Sequence, residues 1–184
     1  SGERTITIAP ETGSDRLRRV INKTMTNDEI LAAADSIFAT GFENLKLYFM
    51  LGIPTETDDD LVAIRDLTQQ LREIMLTHAR PRGQVGRIVA SVNPLVPKPA
   101  TAYQWLPMED DASIERKIKR MRSLTADIDN VYFNIKSERH SFYQALLSLG
   151  DRRVAPAIEA AERNGGNWRA AVKEAGIDAD FYVF

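Results

Sequence analysis

The chain has 184 residues, 43% of them hydrophobic, with 24 basic and 26 acidic side chains and a net charge of −2. That length and apolar content suffice to bury a core in one domain or one domain with an appendage. The balanced charge, free of like-charged blocks, excludes a nucleic-acid footprint and a polybasic membrane anchor. No apolar run approaches the span of a bilayer, and the opening Ser-Gly-Glu-Arg does not resemble a secretory leader, so the expected compartment is the cytoplasm. With zero cysteines, no disulfide and no thiolate-held metal or iron–sulfur site can form within these residues; the two isolated histidines, His78 and His140, make no ligand cluster.

In chain order, Thr5 to Ala9 is a β-branched run that reads as a strand, and Ser14 to Val20 reads as a short helix. Thr26-Asn-Asp-Glu29 has capping-box spacing and starts a second helix that runs to Thr40, where Gly41 suits a left-handed cap. Leu45 to Leu51 is the next strand. After the Gly52-Ile-Pro54 turn, Thr57 caps a long helix whose first turn, Asp58 to Asp60, places negative charge at the positive end of the dipole. Leu61, Ile64, Leu67, Leu71 and Ile74 supply its buried face. Gln84 to Val92 is a third strand, stopped by Asn93-Pro94 and Pro97-Lys98-Pro99, because proline cannot continue a ladder. Asp111 to Asp129 is a helix with Ile114, Ile118, Met121 and Leu124 inward, and Val131 to Ile135 is a fourth, short strand able to pair with the third. From Ser141 the pattern becomes helical: Ser141 to Leu149, Arg153 to Asn164 and Trp168 to Ala175, then Asp180-Phe-Tyr-Val-Phe184.

Strand–helix units in succession imply an α/β fold with a parallel sheet and right-handed crossovers. The expected organisation is residues 1–136 as the α/β part and residues 137–184 as a helical C-terminal extension. A sheet this narrow would leave the first strand with an open edge, so strands are expected upstream in the natural protein.

Several residues at strand ends carry possible chemistry. Glu11, Thr12, Gly13 and Ser14 lie where strand becomes helix: Ser14 and nearby amides could hold an anion or sugar hydroxyl and Glu11 a ribose diol, or Ser14 and Thr12 simply cap the helix. Gly52 and Pro54 would allow close backbone approach with Glu56 facing the ligand, or serve as turn punctuation. Lys46 and Tyr48 share a strand face, and a lysine there must find an anion or reach solvent. Lys98 sits between prolines on a rigid extended segment, Asp151-Arg-Arg153 reads as local ordering, and Trp105 and Trp168 read as packing anchors.

Three stretches in order, Thr7 to Lys23, Tyr48 to Thr57 and Val92 to Trp105, resemble the second half of a radical S-adenosylmethionine (SAM) enzyme; Ser141 to Arg153, Trp168 and Asp180 to Val183 share that resemblance. The branch it resembles is that of the Fe-S oxidoreductases and B12-binding-domain radical SAM proteins, distantly similar to the methylthiotransferases. The resemblance implies a partial (β/α)6, TIM-like barrel of which this chain supplies only the second half, parallel strands four to six, plus the helical extension. It implies SAM across the strand C-terminal ends, with Glu11, Thr12, Gly13 and Ser14 near its ribose or methionyl end and Lys23 facing its carboxylate. Tyr48 stands where some relatives have a ribose-binding Asp. Gly52 to Glu56 and the loop from Asn93 to Lys98 would lie along the cofactor.

The Cys-x3-Cys-x2-Cys triad that holds the family's [4Fe-4S] cluster is missing from this chain. Two explanations fit: a degenerate protein that has lost the cluster, or, favoured because the SAM-facing motifs are intact, a truncation whose parent, a radical SAM oxidoreductase or transferase, carries those cysteines upstream, with cobalamin as a further cofactor open to the parent. The implied partners are the missing N-terminal half, a flavodoxin- or ferredoxin-like reductant, an unknown substrate, and a second copy of the fragment covering exposed strand edges. Two other readings stand beside it: a self-contained α/β nucleotide- or phosphate-binding module using the Ser14 helix start, and a non-catalytic scaffold that docks a partner through its helical tail.

Overall fold

The computed structural model describes residues 5–184. The described residues fall into two units, the first running to Asn93 and including Glu115–Lys136, the second comprising Pro94–Ile114 and Ser137–Phe184.

The first unit is α/β. Strands β1 (Thr5–Glu11), β2 (Asn44–Leu51), β3 (Ile88–Pro94) and β4 (Val131–Ile135) form one four-stranded sheet in the order β1-β2-β3-β4. β1 runs parallel to β2, with Ile6 beside Leu45 and Ile8 beside Leu47, and β3 runs parallel to β4, with Ile88 beside Val131. The Leu45 amide donates to the Arg87 carbonyl, so the starts of β2 and β3 lie together and the whole sheet is parallel. The fourth strand thus pairs with the third, as its sequence position allows. β1 extends two residues beyond the expected Ala9, through a register irregularity between Ile8 and Glu11. β3 starts four residues later than expected and continues through Pro94.

Period-two alternation in β2 sorts its side chains cleanly. Leu45, Leu47, Phe49 and Leu51 are fully buried on the face that packs against helices, whereas Asn44, Lys46, Tyr48 and Met50 are half-buried on the other. Helices α1 (Asp15–Val20), α2 (Asn27–Ala39), α3 (Asp58–Ala79) and α4 (Asp111–Thr125) separate the strands. α2 begins at the expected capping box, Thr26 with Glu29, and ends before Gly41 at φ 101°, a left-handed position that glycine adopts without Cβ strain. α3 buries Leu61, Ile64, Leu67 and Leu71 as expected, but its next inward residue is Met75, with Ile74 half-buried. A period of 3.6 favours a step of four after Leu71. α4 ends at Thr125, four residues short of the expected Asp129; Ile118 and Met121 are buried and Leu124 is half-buried.

The second unit holds α5 (Glu138–Leu149), α6 (Ala155–Arg163), α7 (Trp168–Glu174) and the short α8 (Asp180–Val183). Its core gathers Met108, Ala145, Leu146, Val154 and Val183. Trp168 stacks on Tyr143 with ring centroids 5.9 Å apart, the anchoring role its type suggests. Trp105 does not anchor anything: it is 85% exposed. Asp151 accepts from the Arg153 amide and pairs with its guanidinium, the local ordering expected of that motif.

Gly13 fixes how closely the β1–α1 turn sits on α3. A Cβ at this position would lie 2.1 Å from the Ile64 nitrogen and 2.2 Å from the Ala63 carbonyl carbon, both helix backbone. Gly13→Ala should therefore destabilise the chain by about 1–3 kcal/mol, the range for overpacking, with a lowered urea midpoint and unchanged slope; an unaltered midpoint would show that the turn stands off the helix.

Candidate functional site

The C-terminal ends of β1, β2 and β3 lie along one edge of the parallel sheet, where α/β folds hold ligands. At the ends of β1 and β2, non-glycine residues stand in the left-handed region: Glu11 at φ 66° and Thr55 at φ 70°. For the β-branched Thr55 that conformation is uncommon and has to be held by its surroundings.

Charged side chains do the holding. Arg16 donates to the Thr55 carbonyl at 2.9 Å and to its hydroxyl at 3.2 Å, and it also pairs with Asp60. Asp60, buried at the start of α3, accepts from the Ser14 hydroxyl, from Arg16, and from the Thr57 amide at 2.8 Å and hydroxyl at 3.0 Å. One carboxylate thereby ties the β1–α1 junction to the β2–α3 junction. Burial works to raise the Asp60 pKa, but the donors from Ser14, Thr57 and Arg16 outweigh it and hold the carboxyl below its ordinary 3.8.

Arg18, 0% exposed, organises the same turn from behind. Its guanidinium donates to the Thr12 carbonyl at 2.6 Å and the Met25 carbonyl at 2.7 Å, and to the side chains of Asp15 and Asn27. Asp15 in turn accepts from the Asn27 amide at 2.9 Å, and Asn27 Nδ2 donates to the Gly13 carbonyl at 3.0 Å. The start of α2 is thus clamped onto the end of β1.

The residues expected at the site divide by what they are already doing. Ser14 caps α1, accepting from the Leu17 amide while donating to Asp60. Glu11 and Lys23 pair with each other at 3.1 Å, and Lys23 also donates to the Ala9 carbonyl. Gly13 is a packing position, as above. Glu56 has a fully buried side chain that accepts from the Gly52 amide at 2.8 Å and pairs with Lys117 of α4 at 2.8 Å; it staples its own loop, with Gly52 at φ 80° closing the turn. Tyr48 lies on the open sheet face with Lys46 Nζ 5.0 Å from its ring centre. Lys98 belongs to the second unit, where it donates to Ser148 at 3.0 Å. At the strand ends, Thr12 Oγ1 and Asn93 Oδ1 are buried without a hydrogen-bond partner among the described residues. In a folded chain such atoms point to a ligand or water that completes them.

Arg16, Arg18, Asp60 and Lys117 are functional neighbours that the sequence reading missed. The Thr57-x-x-Asp60 spacing was a signal for Asp60, since an acidic residue at that offset can reach back to its cap, and the i,i+3 pair Asp15–Arg18 was a local signal for Arg18; Arg16 carries none because its partners Thr55 and Asp60 lie in other elements.

Residues 1–68 match the sequence model of the radical SAM superfamily. That stretch contains β1, α1, α2, β2 and the start of α3, and so both junctions joined by Asp60. The chain is also similar to Uncharacterized protein MJ0966 of Methanocaldococcus jannaschii, 33% identical over 156 residues, which cover 85% of this chain and 32% of that protein. The chain therefore spans about a third of the length of the curated relative it matches. No solved structure matches it.

Asp60 predicts an acid sensitivity. Its folded pKa is depressed, so its contribution to stability is complete above the unfolded value near 3.8 and is lost as pH falls through the folded value. Asp60→Asn should lower stability at neutral pH and flatten the loss of stability below pH 4, read by urea titrations across that range; parallel pH profiles for both proteins would contradict the assignment.

Proposed function

We propose that this chain is the cofactor-lining second half of a radical SAM barrel, strands four to six with a helical extension at residues 137–184. The supporting observation is the strand-end edge itself: two strained junctions locked by one carboxylate, within the segment that matches the superfamily, with the buried acceptors Thr12 Oγ1 and Asn93 Oδ1 left to be completed.

SAM suits this edge. Its ammonium and ribose hydroxyls are donors for Asn93 Oδ1 and the Thr12 hydroxyl, and the Glu11–Lys23 pair offers a charge of each sign to a zwitterionic methionyl group. The Gly52–Glu56 turn would flank the ribose and adenine. When bound, SAM supplies the sulfonium whose reductive cleavage gives a 5′-deoxyadenosyl radical. The [4Fe-4S] cluster does not fit here: the chain has no cysteine, and among the described residues no group of three metal-binding side chains comes together. Its ligands would lie in the missing N-terminal half, and the fragment alone would be inactive.

The edge of β1 supports an upstream partner segment. β1 is the first strand of the sheet, and beside it runs an open groove lined by Ile6, Ile8, Ile30, Ala33 and Ile37. Another strand and helix of the parent would cover both; in the isolated fragment, a second copy would. The parent is proposed to be cytoplasmic, to draw electrons from a flavodoxin- or ferredoxin-like protein, and to act as an oxidoreductase or transferase of the branch with cobalamin-binding members. Among the described residues no helix is long and apolar enough to cross a membrane. The nucleotide-module reading is less well supported, because the Ser14 hydroxyl is already used in both directions and α1 has only six residues.

Anaerobic iron–sulfur reconstitution of the full-length parent, followed by dithionite reduction with SAM, should yield 5′-deoxyadenosine. A well-folded parent with neither cluster nor product would overturn the proposal.

A further inference from the structure

The sheet has two unlike faces. One is the apolar face buried under helices; the other presents Thr7 on β1, Lys46, Tyr48 and Met50 on β2, Val89, Ser91 and Asn93 on β3, and Tyr132 and Asn134 on β4. The Leu45–Arg87 hydrogen bond sets Leu45 beside Ile88, and hence Lys46 beside Val89 and Tyr48 beside Ser91. Thr7 is beside Lys46 on the other side, and Val89 is beside Tyr132. Lys46 therefore stands at the middle of a row four strands wide.

Among the described residues, the strand positions that share this face hold no aspartate or glutamate. Among the described residues Lys46 makes no ion pair, and its recorded contact is the face of the Tyr48 ring. Lys46 is half-buried as a residue, and the ring attraction, worth about 0.5–2 kcal/mol, leaves its charge open to a carboxylate, whose charge-assisted hydrogen bond is stronger. Tyr48 stands beside it on the same strand, and further across the face lie Ser91 on β3 and, two strands away on β4, the 61% exposed Tyr132.

We propose that this face binds a small molecule bearing a carboxylate, with Lys46 as the counter-charge and Tyr48 and Tyr132 against its apolar body. One lysine matches one carboxylate charge, whereas a phosphate dianion would leave a net charge enclosed beside the sheet, which low-dielectric surroundings penalise. The flat Tyr48 ring beside the lysine favours a planar or aliphatic body over a polyhydroxylated one. As a statement about the parent's substrate, the inference rests on the barrel reading above, in which this face turns inward. Lys46 then acts as a specificity residue that orients the substrate.

The test uses the full-length protein with benzoate, its neutral isostere benzamide and inorganic phosphate, followed by NMR titration. Benzoate should bind saturably and benzamide about tenfold or more weakly than benzoate. Lys46→Met should weaken benzoate by about tenfold or more, while Lys46→Arg, which keeps the charge, should retain binding. Equal binding of benzoate and benzamide, benzoate binding unchanged by K46M, no saturable benzoate binding by wild type, or phosphate binding more tightly than benzoate in a Lys46-dependent way would each overturn the carboxylate assignment. SAM binding and 5′-deoxyadenosine formation, measured on the same wild-type protein, report on the barrel reading separately: carboxylate binding without them leaves the site standing and removes its place in radical chemistry.

Discussion

A guanidinium with no access to water governs the first third of this chain. Arg18 brings a charge out of water, and burying it is tolerable only if its donors find oxygens. The partners it finds are the Thr12 and Met25 carbonyls and the Asp15 and Asn27 side chains, which come from the end of β1, the start of α1 and the entrance to α2. Satisfying one side chain thus fixes where three elements meet. The turn between β1 and α1 is then closed enough that only glycine fits at position 13, because α3 backbone occupies the space a Cβ would take.

Asp60 extends the same logic one strand further. Its carboxylate, held ionised by donors from both junctions, sets Ser14, Arg16 and Thr57 around a single point and lets Arg16 keep Thr55 in its left-handed conformation. Strain of this kind persists only where its surroundings over-determine it, and here the over-determination faces the edge where parallel strands present their C-terminal ends. The pair of half-buried Lys117 and buried Glu56 does similar work for the Gly52 turn. The strand-end loops are thereby pre-formed, a favourable condition for binding a flexible cofactor because less ordering entropy remains to be lost.

Much of this architecture is legible in the sequence, for identifiable reasons. The strand alternation in Leu45 to Leu51, the capping box of Thr26 and Glu29 and the left-handed Gly41 are local signals with periods of two to four residues, and the structure contains them. Where a local pattern met a long-range constraint, it failed by small amounts. The inward stripe of α3 passes through Met75 instead of Ile74, β1 runs on to Glu11 through a bulge, and Trp105 is left in the open. The site was legible as a set of loops and not as a set of roles. Ser14, Gly13 and Glu56 lie at the expected strand ends, yet their side chains or lack of one are committed to capping, packing and stapling. The groups that bind those loops together, Arg16, Arg18 and Asp60, act across separations of 40 residues or more in the case of Arg16 with Asp60, which a sequence pattern does not encode.

The central claim is that the edge built from residues 9–14 and 52–56, with Asn93, receives SAM. Hydrogen–deuterium exchange of the full-length protein with and without SAM tests it most directly. The account predicts slowed exchange confined to the amides of those two loops and the end of β3. Slowed exchange at other elements with these loops unchanged would contradict it.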